Sequence, residues 1–257
     1  MKLRFYKYQA AGNDFVVVDN RDQQFFPTAK QASFICDRRF GIGADGVILV
    51  DRDKAADFNI RYYNPDGTQS LCGNGCRSAV ALARQLGLAG IASTFSAYDG
   101  IHRAEWLEDR NIRIQMNDVG EVKTVYDGYY LDTGSPHFVR FVKSVEDYPV
   151  VEEGRKLRYD TIFPHGANAN FAEVIDDHTL AIRTYERGVE QETLACGTGA
   201  TATAIAATFL GMKSPITLKA KGGILNVGFD SQPNGFTNIH LSGPAKLVFE
   251  GQIELPE

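Results

Sequence analysis

Two short stretches, Cys72-Gly73-Asn74-Gly75 and Cys196-Gly197-Thr198-Gly199, decide how this chain is organised. Each places a cysteine in a glycine-rich turn, and each leads into an apolar segment that closes on Leu-Gly fourteen residues after the cysteine. Upstream, residues 60–64 and 182–186 share the pattern Ile-Arg-x-Tyr, offset by 122 residues where the cysteines are offset by 124. Self-similarity of this kind indicates a duplicated domain. We therefore interpret the chain as two homologous halves, each with one cysteine at the start of a helix.

The bulk composition is that of an ordinary globular chain. Of 257 residues, 44% are hydrophobic and 23% are charged, and the length together with the repeat indicates two domains. The formal net charge of -5 gives no general attraction to nucleic acid or to an anionic membrane surface. No apolar run is long enough to cross a membrane, and the charged, alternating residues 1–7 predict a strand rather than a signal sequence. We therefore expect a cytoplasmic protein without a nucleic-acid or membrane partner.

Local patterns predict many short strands and few helices. Alternating and β-branched runs bounded by turn residues predict strands in both halves, several of them joined as hairpins. Residues 200–212 carry no charge, which predicts a helix buried on all sides. In the first half, Arg77 and Arg84 lie seven residues apart and predict one charged stripe on a helix over 75–86.

This order of elements predicts the fold class and the domains. Runs of hairpins around one apolar helix per half favour an α+β fold over alternating strands and helices. We predict two pseudo-symmetric domains from an internal duplication, each a curved, mostly antiparallel sheet wrapped around a central helix. The predicted halves are residues 1–118 and 119–257, with a C-terminal strand at about 247–257 that packs back onto the first half.

The cysteines are predicted to be reduced. Four cysteines in a chain without a secretory signal indicate buried or reactive thiols rather than a disulfide scaffold. Cys36 lies in a helical pattern over 28–39 and is predicted to belong to the core. Cys76 follows Cys72 by one helical turn, but C-x3-C without a nearby pair of histidines is a poor set of zinc ligands. We therefore predict no metal site.

A cysteine at a helix N-terminus has a specific chemistry. The unpaired backbone N–H groups and the positive end of the helix dipole favour thiolate over thiol, and they also bind an anion such as a carboxylate. Two such thiols on opposite faces of one bound molecule would form a two-base racemase, in which one thiolate removes a proton beside a carboxylate and the other thiol returns one. The structural alternatives are a buried cysteine in a tight turn, or a disulfide between Cys72 and Cys196.

The same residues carry a resemblance to a known family. The chain resembles diaminopimelate epimerases over its whole length, in motifs that fall in family order: Gly12-Asn13-Asp14-Phe15, Asn64-Pro65-Asp66-Gly67, Cys72-Gly73-Asn74-Gly75, Pro136-His137, Glu186-Arg187-Gly188 and Ala195-Cys196-Gly197-Thr198-Gly199. The resemblance implies epimerisation of LL-2,6-diaminopimelate to the meso form without a cofactor, for lysine and peptidoglycan synthesis. It also implies a small-molecule substrate and a homodimer.

The resemblance also implies roles for individual residues. Cys72 and Cys196 are implied to be the two acid/base residues, and His137 and Glu186 to be a pair that tunes the protonation of the thiols. Four further residues at the helix starts are implied to hold the reacting carboxylate: Gly73, Asn74, Gly197 and Thr198. The other implied substrate-binding residues hold the substrate chiefly at its distal, unreacting end; they are Asn13, Asn64, Asn168 and Arg187, together with Glu186.

The chain departs from the family pattern at three places. Gly46 stands where family members often carry glutamine, Ser135 stands where many carry asparagine, and the stretch from Asn64 to Cys72 is one residue shorter than usual. All three departures concern the distal end of the substrate more than the chemistry.

Two other functions remain open at this stage. A proline or hydroxyproline racemase-like enzyme would share the layout of two cysteines, although Asn64, Asn168 and the Glu186-Arg187 pair favour a longer substrate with a second amino-acid head. A non-catalytic protein that binds an amino acid is the alternative from another class.

Overall fold

The computed structural model describes residues 1–256 and holds 17 strands and four α-helices within them. In chain order these are β1 (Lys2–Ala10), β2 (Asn13–Asp19), α1 (Ala29–Cys36), β3 (Gly46–Asp51), β4 (Phe58–Tyr63), α2 (Gly73–Gln85), β5 (Ala92–Ala97), β6 (Gly100–Trp106), β7 (Asn111–Gln115), β8 (Lys123–Val125), β9 (Gly128–Asp132), β10 (Pro136–Phe141), α3 (Val150–Arg158), β11 (Asn168–Asp176), β12 (Thr179–Glu186), β13 (Gln191–Thr193), α4 (Gly197–Ala207), β14 (Ile216–Ala220), β15 (Gly223–Gln232), β16 (Gly235–Pro244) and β17 (Lys246–Glu254). Two short 3-10 turns occupy Glu108–Arg110 and Thr208–Leu210. No helix within residues 1–256 is long and apolar enough to span a membrane.

The chain divides into two compact units. The first holds residues 1–114 together with the chain from Gly243 onward, and the second holds residues 115–242. The chain therefore crosses between units twice, near residues 115 and 243. The sequence analysis placed the division at residue 118 and the returning strand at about 247–257.

The first unit is a sheet of eight strands. Its strand order is β17-β1-β2-β3-β4-β5-β6-β7, and two of its pairings are parallel, β2 with β3 and β4 with β5. The other pairings are antiparallel, as expected where tight turns join successive strands. One such turn is Ala11-Gly12 between β1 and β2, where both residues have positive φ, at 50° and 86°.

The second unit repeats this plan. Its strand order is β8-β9-β10-β11-β12-β14-β15-β16. Two of its pairings are parallel, β10 with β11 and β12 with β14, and the short strand β13 pairs with the end of β12. Read along each sheet, parallel and antiparallel pairings alternate in the same sequence in both units. The predicted α+β fold, with two similar, mostly antiparallel halves, is confirmed.

In each unit one face of the sheet carries a short helix and the other face carries a long one. Thr28 is the N-cap of helix α1, and its side chain accepts a hydrogen bond from the Gln31 N–H in a capping box. Ile35 of this helix packs with Val16 and Val47. Helix α2 packs on the opposite face, against β1 to β4. Because both faces are covered, every residue of β3 is buried, including those that alternation would otherwise place in water.

In the second unit α3 and α4 take the corresponding places. Helix α3 packs on β11 and β12 through a cluster that includes Leu157, Phe171 and Tyr185, and α4 packs on the other face. The prediction that residues 200–212 form a helix buried on all sides is confirmed as far as Ala207, where the α-helix ends. The prediction of a charged stripe on α2 is wrong, because Arg77 is fully buried in that helix.

Candidate functional site

Cys72 is the N-cap of α2. Its backbone is extended, with φ of -130° and ψ of 110°, and its Sγ accepts a hydrogen bond from the Gly75 N–H at 3.4 Å. Cysteine is not among the residues that favour an N-cap position, which are serine, threonine, asparagine, aspartate and glycine. A half-buried thiol in this place therefore indicates a requirement for sulfur rather than for a cap.

Cys196 repeats this geometry at the start of α4. Its φ and ψ are -121° and 115°, and its Sγ accepts a hydrogen bond from the Gly199 N–H at 3.4 Å. The prediction of one cysteine at the start of a helix in each half is confirmed. In both units the sulfur lies where unpaired N–H groups and the helix dipole stabilise a thiolate.

The other two cysteines have unreactive thiols. Cys36 and Cys76 are buried, and no disulfide is present among the four cysteines, all of which lie in the described chain. Burial raises the pKa of Cys36 to about 12, and it raises the pKa of Cys76 as well. The thiols available for chemistry are therefore the two at the helix starts.

Around Cys72, a chain of amides leads away from the start of α2. The Asn74 side chain donates through Nδ2 to Asn13 Oδ1, and Asn13 Nδ2 donates to Asp45 Oδ2 at 2.8 Å. The structure thus brings together Asn13 and Asn74, two of the residues assigned from the resemblance, with Cys72. Asp45 adds a carboxylate that the sequence analysis did not single out.

The buried side chain of Arg77 is the next member of this hydrogen-bonded chain. Its Nη2 donates to Asn74 Oδ1 at 2.6 Å, while its Nε and Nη1 are buried without a hydrogen-bond partner. Burial lowers the pKa of Arg77 to about 10, and the nearby thiols of Cys72 and Cys76 act in the opposite direction. A buried guanidinium therefore lies within electrostatic range of the first thiol.

Gly46 has a structural explanation. A side chain at this position would collide with the ring of Tyr62, which occupies the space beside it. The Tyr62 hydroxyl donates to the backbone carbonyl of Asp45 at 3.1 Å, and its ring packs edge-on against Phe15. The absent side chain at residue 46 is thus replaced by a phenol from the neighbouring strand.

Asn64 lies at the predicted turn after β4. The turn forms as expected, with Gly67 at a φ of 83° and its N–H donating to the Asn64 carbonyl at 2.9 Å. The half-buried Asn64 side chain donates through Nδ2 to Thr68 Oγ1 at 3.0 Å. Asn64 is therefore held by its own turn.

In the second unit, His137 lies beneath the start of α4. The imidazole is fully buried, and its Nε2 lies 2.9 Å from Thr198 Oγ1 and 3.0 Å from Ser135 Oγ. Thr198 Oγ1 in turn lies 3.4 Å from Cys196 Sγ. The histidine therefore reaches the thiol through the Thr198 hydroxyl.

Burial and the charge of Arg187 together lower the pKa of His137 to about 3. The imidazole is consequently neutral at physiological pH. It acts as a hydrogen-bonding group and does not carry a charge beside the thiol.

Asn168 and Arg187 lie together at the adjoining strand ends. Asn168 Oδ1 accepts a hydrogen bond from the Arg187 backbone N–H at 2.8 Å, and its Nδ2 donates to the Pro136 carbonyl at 3.0 Å. The Arg187 side chain donates through Nη1 to the His165 carbonyl at 3.0 Å. Glu186, the last residue of β12, is half-buried next to Arg187.

Each set of assigned residues lies at one end of its own sheet, beside a helix start. The residues that the sequence analysis missed are Asp45, Tyr62, Arg77 and Asn170, and none of them stands in a motif that it used as a site. Within residues 1–256, no group of three or more His, Cys, Asp or Glu side chains is positioned to hold a metal ion.

Known proteins of similar sequence agree in name. The family model for diaminopimelate epimerase matches residues 5–125 and again residues 129–248. The diaminopimelate epimerase of Flavobacterium psychrophilum is 48% identical over 98% of this chain and 100% of its own, and that of Chlorobaculum tepidum is 40% identical over 95% and 99%.

Solved structures share the fold at much lower identity. A PhzF-family phenazine biosynthesis protein from Bacillus anthracis superposes with a TM-score of 0.79 at 16% identity, covering 99% of both chains. A hydroxyproline epimerase from Agrobacterium vitis superposes with a TM-score of 0.73 at 13% identity, covering 98% of this chain and 92% of its own. The double match of the family model and the full-length relatives place the chain in an isomerase family. The chain belongs to the diaminopimelate epimerase family.

Proposed function

We propose that this protein converts LL-2,6-diaminopimelate to the meso form without a cofactor, by proton transfer between Cys72 and Cys196, in cytoplasmic lysine and peptidoglycan synthesis. The observation that carries the proposal is the pair of N-capping thiols with matching backbone geometry, one in each unit. A turn needs glycine but does not need sulfur. Membership of the family supplies the substrate.

The chemistry follows from the two helix starts. One cysteine, as thiolate, takes the proton from the α-carbon, the electron pair of the C–H bond passes to the carbon and its carboxylate, and the other cysteine, as thiol, gives its proton to the opposite face. The protein ends with the two thiols exchanged in protonation, so the same groups run the reverse reaction. Backbone N–H groups at Gly73 and Asn74 and at Gly197 and Thr198 are proposed to hold the carboxylate where negative charge develops.

The distal end of the substrate is proposed to meet the remaining assigned residues. A second carboxylate requires a cation, and Arg187 is half-buried beside Asn168 in the second unit. The side-chain amides of Asn13 and Asn168 each donate a hydrogen bond to a neighbouring residue of the protein. We therefore propose that these two residues hold the site in shape as well as contact the substrate. Glu186 and His137 are proposed to tune the thiols, with His137 acting as a neutral group.

A racemase for proline or hydroxyproline is the nearest alternative. It would use the same two thiols, and a hydroxyproline epimerase shares the fold. Its substrate has no second amino-acid head, however, and would leave Arg187 without an anionic partner. A protein that only binds an amino acid would have no need for sulfur at both helix starts.

A proton NMR time course in D2O tests the proposed reaction. With LL-diaminopimelate, reduced protein and no added cofactor, we expect the α-proton signal to disappear while the meso isomer appears. L-proline and trans-4-hydroxy-L-proline, incubated in parallel, are expected to keep their α-protons. If only proline exchanged its α-proton, the proposed substrate would be wrong. If protein with free thiols exchanged the α-proton of none of the three compounds, the proposed activity would be contradicted.

We also propose that two copies associate through β17. This strand pairs with β1 along one edge and lies at the end of the strand order in its unit. Three consecutive apolar residues on it, Leu247, Val248 and Phe249, are 44%, 57% and 47% exposed. A contiguous apolar run on an edge strand is typical of a surface that a second strand covers.

Sedimentation velocity tests this association. The native chain is expected to sediment as a dimer, and Val248→Lys is expected to sediment as a monomer because a charge on an edge strand opposes strand pairing. Ile224→Lys, at an exposed apolar position on β15, is the matched control and should remain dimeric. A monomeric native chain would contradict the proposed dimer. A dimeric Val248→Lys variant would contradict the proposal that β17 forms the interface.

A further inference from the structure

The strand registers make the two sites comparable residue by residue. In the second unit, His137 lies opposite Asn168 on parallel strands, and Asn170 lies opposite Thr184. In the first unit the same pairings join Phe15 to Gly46 and Ile48 to Tyr62. The equivalent pairs are therefore His137 with Phe15, Asn170 with Ile48 and Thr184 with Tyr62.

The helix starts confirm this equivalence from an independent direction. A methyl group added at Gly75 in α2 would touch Ile48 Cδ1 at 3.2 Å, and one added at Gly199 in α4 would collide with Asn170 Oδ1. Ile48 and Asn170 thus lie under the same position of the two helices. The side chain packed under the start of α2 is therefore aliphatic, whereas the side chain packed under the start of α4 is an amide.

The hydrogen bonds of Asn170 define which way its amide points. One side-chain atom lies 3.0 Å from the Phe138 carbonyl, which only accepts, so this atom is the Nδ2 donor. The same Nδ2 lies 3.1 Å from His137 Nδ1, and Oδ1 accepts from the Thr184 hydroxyl at 2.9 Å. His137 Nδ1 is therefore an acceptor, and the proton of the neutral imidazole is on Nε2.

From Nε2 the hydrogen bonds continue in one direction toward sulfur. The Nε2–H donates to Thr198 Oγ1 at 2.9 Å and is shared with Ser135 Oγ at 3.0 Å. Thr198 Oγ1 then has its own proton available for Cys196 Sγ, 3.4 Å away. Ser135 Oγ also lies 3.4 Å from Thr198 Oγ1, but it already accepts from Asn168 Nδ2 at 3.3 Å and shares the Nε2–H, which leaves the sulfur as the better acceptor. With the opposite tautomer, Nε2 would accept that hydroxyl proton and Thr198 would turn its lone pairs toward the sulfur.

We propose that Asn170 is a positioning residue for Cys196: pinned by Thr184 and Phe138, it fixes the tautomer of His137 that makes Thr198 donate to the sulfur. The chain Thr184, Asn170, His137, Thr198, Cys196 then stabilises the thiolate by a hydrogen bond that exists only in one tautomer. In the first unit the residues equivalent to His137 and Asn170 are Phe15 and Ile48, whose side chains cannot form hydrogen bonds of this kind. The inference rests on the proposed role of Cys196 as a base.

The tautomer is measured directly by 15N NMR of the imidazole in uniformly labelled protein, with His137→Gln used to assign the signals. In the native chain we expect a neutral ring protonated on Nε2 throughout pH 6 to 8. In Asn170→Asp, where a carboxylate replaces the donor, we expect a proton on Nδ1. A native ring protonated on Nδ1, or a variant that keeps Nδ1 bare, would overturn the proposal without reference to turnover.

The coupling to sulfur is measured by the pH dependence of alkylation of Cys196 in a Cys72→Ala background, since Cys36 and Cys76 are buried. Thr198→Val should move the midpoint upward by about one pH unit, because a donor to the thiolate is lost, and Asn170→Leu should move it in the same direction. Thr201→Val is the matched control, because the Thr201 hydroxyl donates to its own helix at Gly197 O. Equal midpoints in Thr198→Val and Thr201→Val would overturn the proposal, whatever the result of the epimerase assay.

Discussion

Cys72→Ala and Cys196→Ala are each expected to abolish the conversion of LL-diaminopimelate to the meso form, with a loss in kcat/KM of about 10³-fold or more. Each variant removes one of the two groups that are proposed to act on opposite faces of the carbon. Each also keeps the other thiol at its helix start, so one face remains accessible to a base. Epimerisation should therefore fail while exchange at one face survives.

The distinguishing measurement is deuterium incorporation into each pure isomer. One variant should exchange the α-proton of LL-diaminopimelate without inversion, and the other should exchange that of the epimeric centre of the meso form. Cys76→Ala is the matched control, because this thiol is buried in α2 with a raised pKa and has no proposed role. Retained turnover in both variants, or exchange of the same isomer by both, would be incompatible with two bases on opposite faces.

The sequence predicted the parts of this protein that repeat. Glycine after cysteine in two copies predicted both helix starts, and the absence of charge in residues 200–212 predicted the burial of α4. Both signals are local, because the residues that produce them lie within a few turns of one another. The parallel pairings within each sheet join strands distant in sequence, and no local pattern specifies them.

Arg77 shows where the local argument fails. Spacing along a helix places Arg77 and Arg84 on one stripe, but only the packing of α2 decides whether that stripe faces water at both positions. Arg84 lies near the C-terminal end and donates to the Gly90 carbonyl at 3.0 Å, whereas Arg77 is buried and bound to Asn74. An arginine next to a site motif, where a helix is otherwise apolar, is the signal that could have identified it.

The same contrast separates the two candidate sites. Beside Cys72 the structure places a buried guanidinium, and beside Cys196 it places a neutral imidazole that acts through a hydroxyl. Duplication supplied two similar helix starts, but the side chains beneath them have diverged. We infer that the thiolate is stabilised by charge in the first unit and by directed hydrogen bonding in the second.

Gly199→Ala tests the fit between Asn170 and the helix start, and Gly75→Ala is its counterpart in the first unit. The added methyl group at residue 199 would collide with Asn170 Oδ1, whereas at residue 75 it would meet Ile48 Cδ1 at 3.2 Å. Asn170 has little freedom to withdraw, because both ends of its amide are bound. Ile48 has a flexible terminal methyl that can rotate away.

Both substitutions gain the same helix propensity, so their difference isolates the collision. We expect Gly199→Ala to be less stable than Gly75→Ala by about 1–2 kcal/mol in chemical denaturation, in the range found for overpacked sites. Because the displaced amide also releases His137, kcat should fall by at least about 10-fold more in Gly199→Ala, the scale of a lost hydrogen bond to a charged group. The methyl groups lie at similar distances from the sulfurs, 3.3 Å from Cys196 Sγ and 3.6 Å from Cys72 Sγ, so crowding of the thiols alone would give similar losses of activity in the two variants. Equal stability and equal kcat would therefore show that Asn170 yields freely, and that the amide beneath the second helix does not hold the histidine in place.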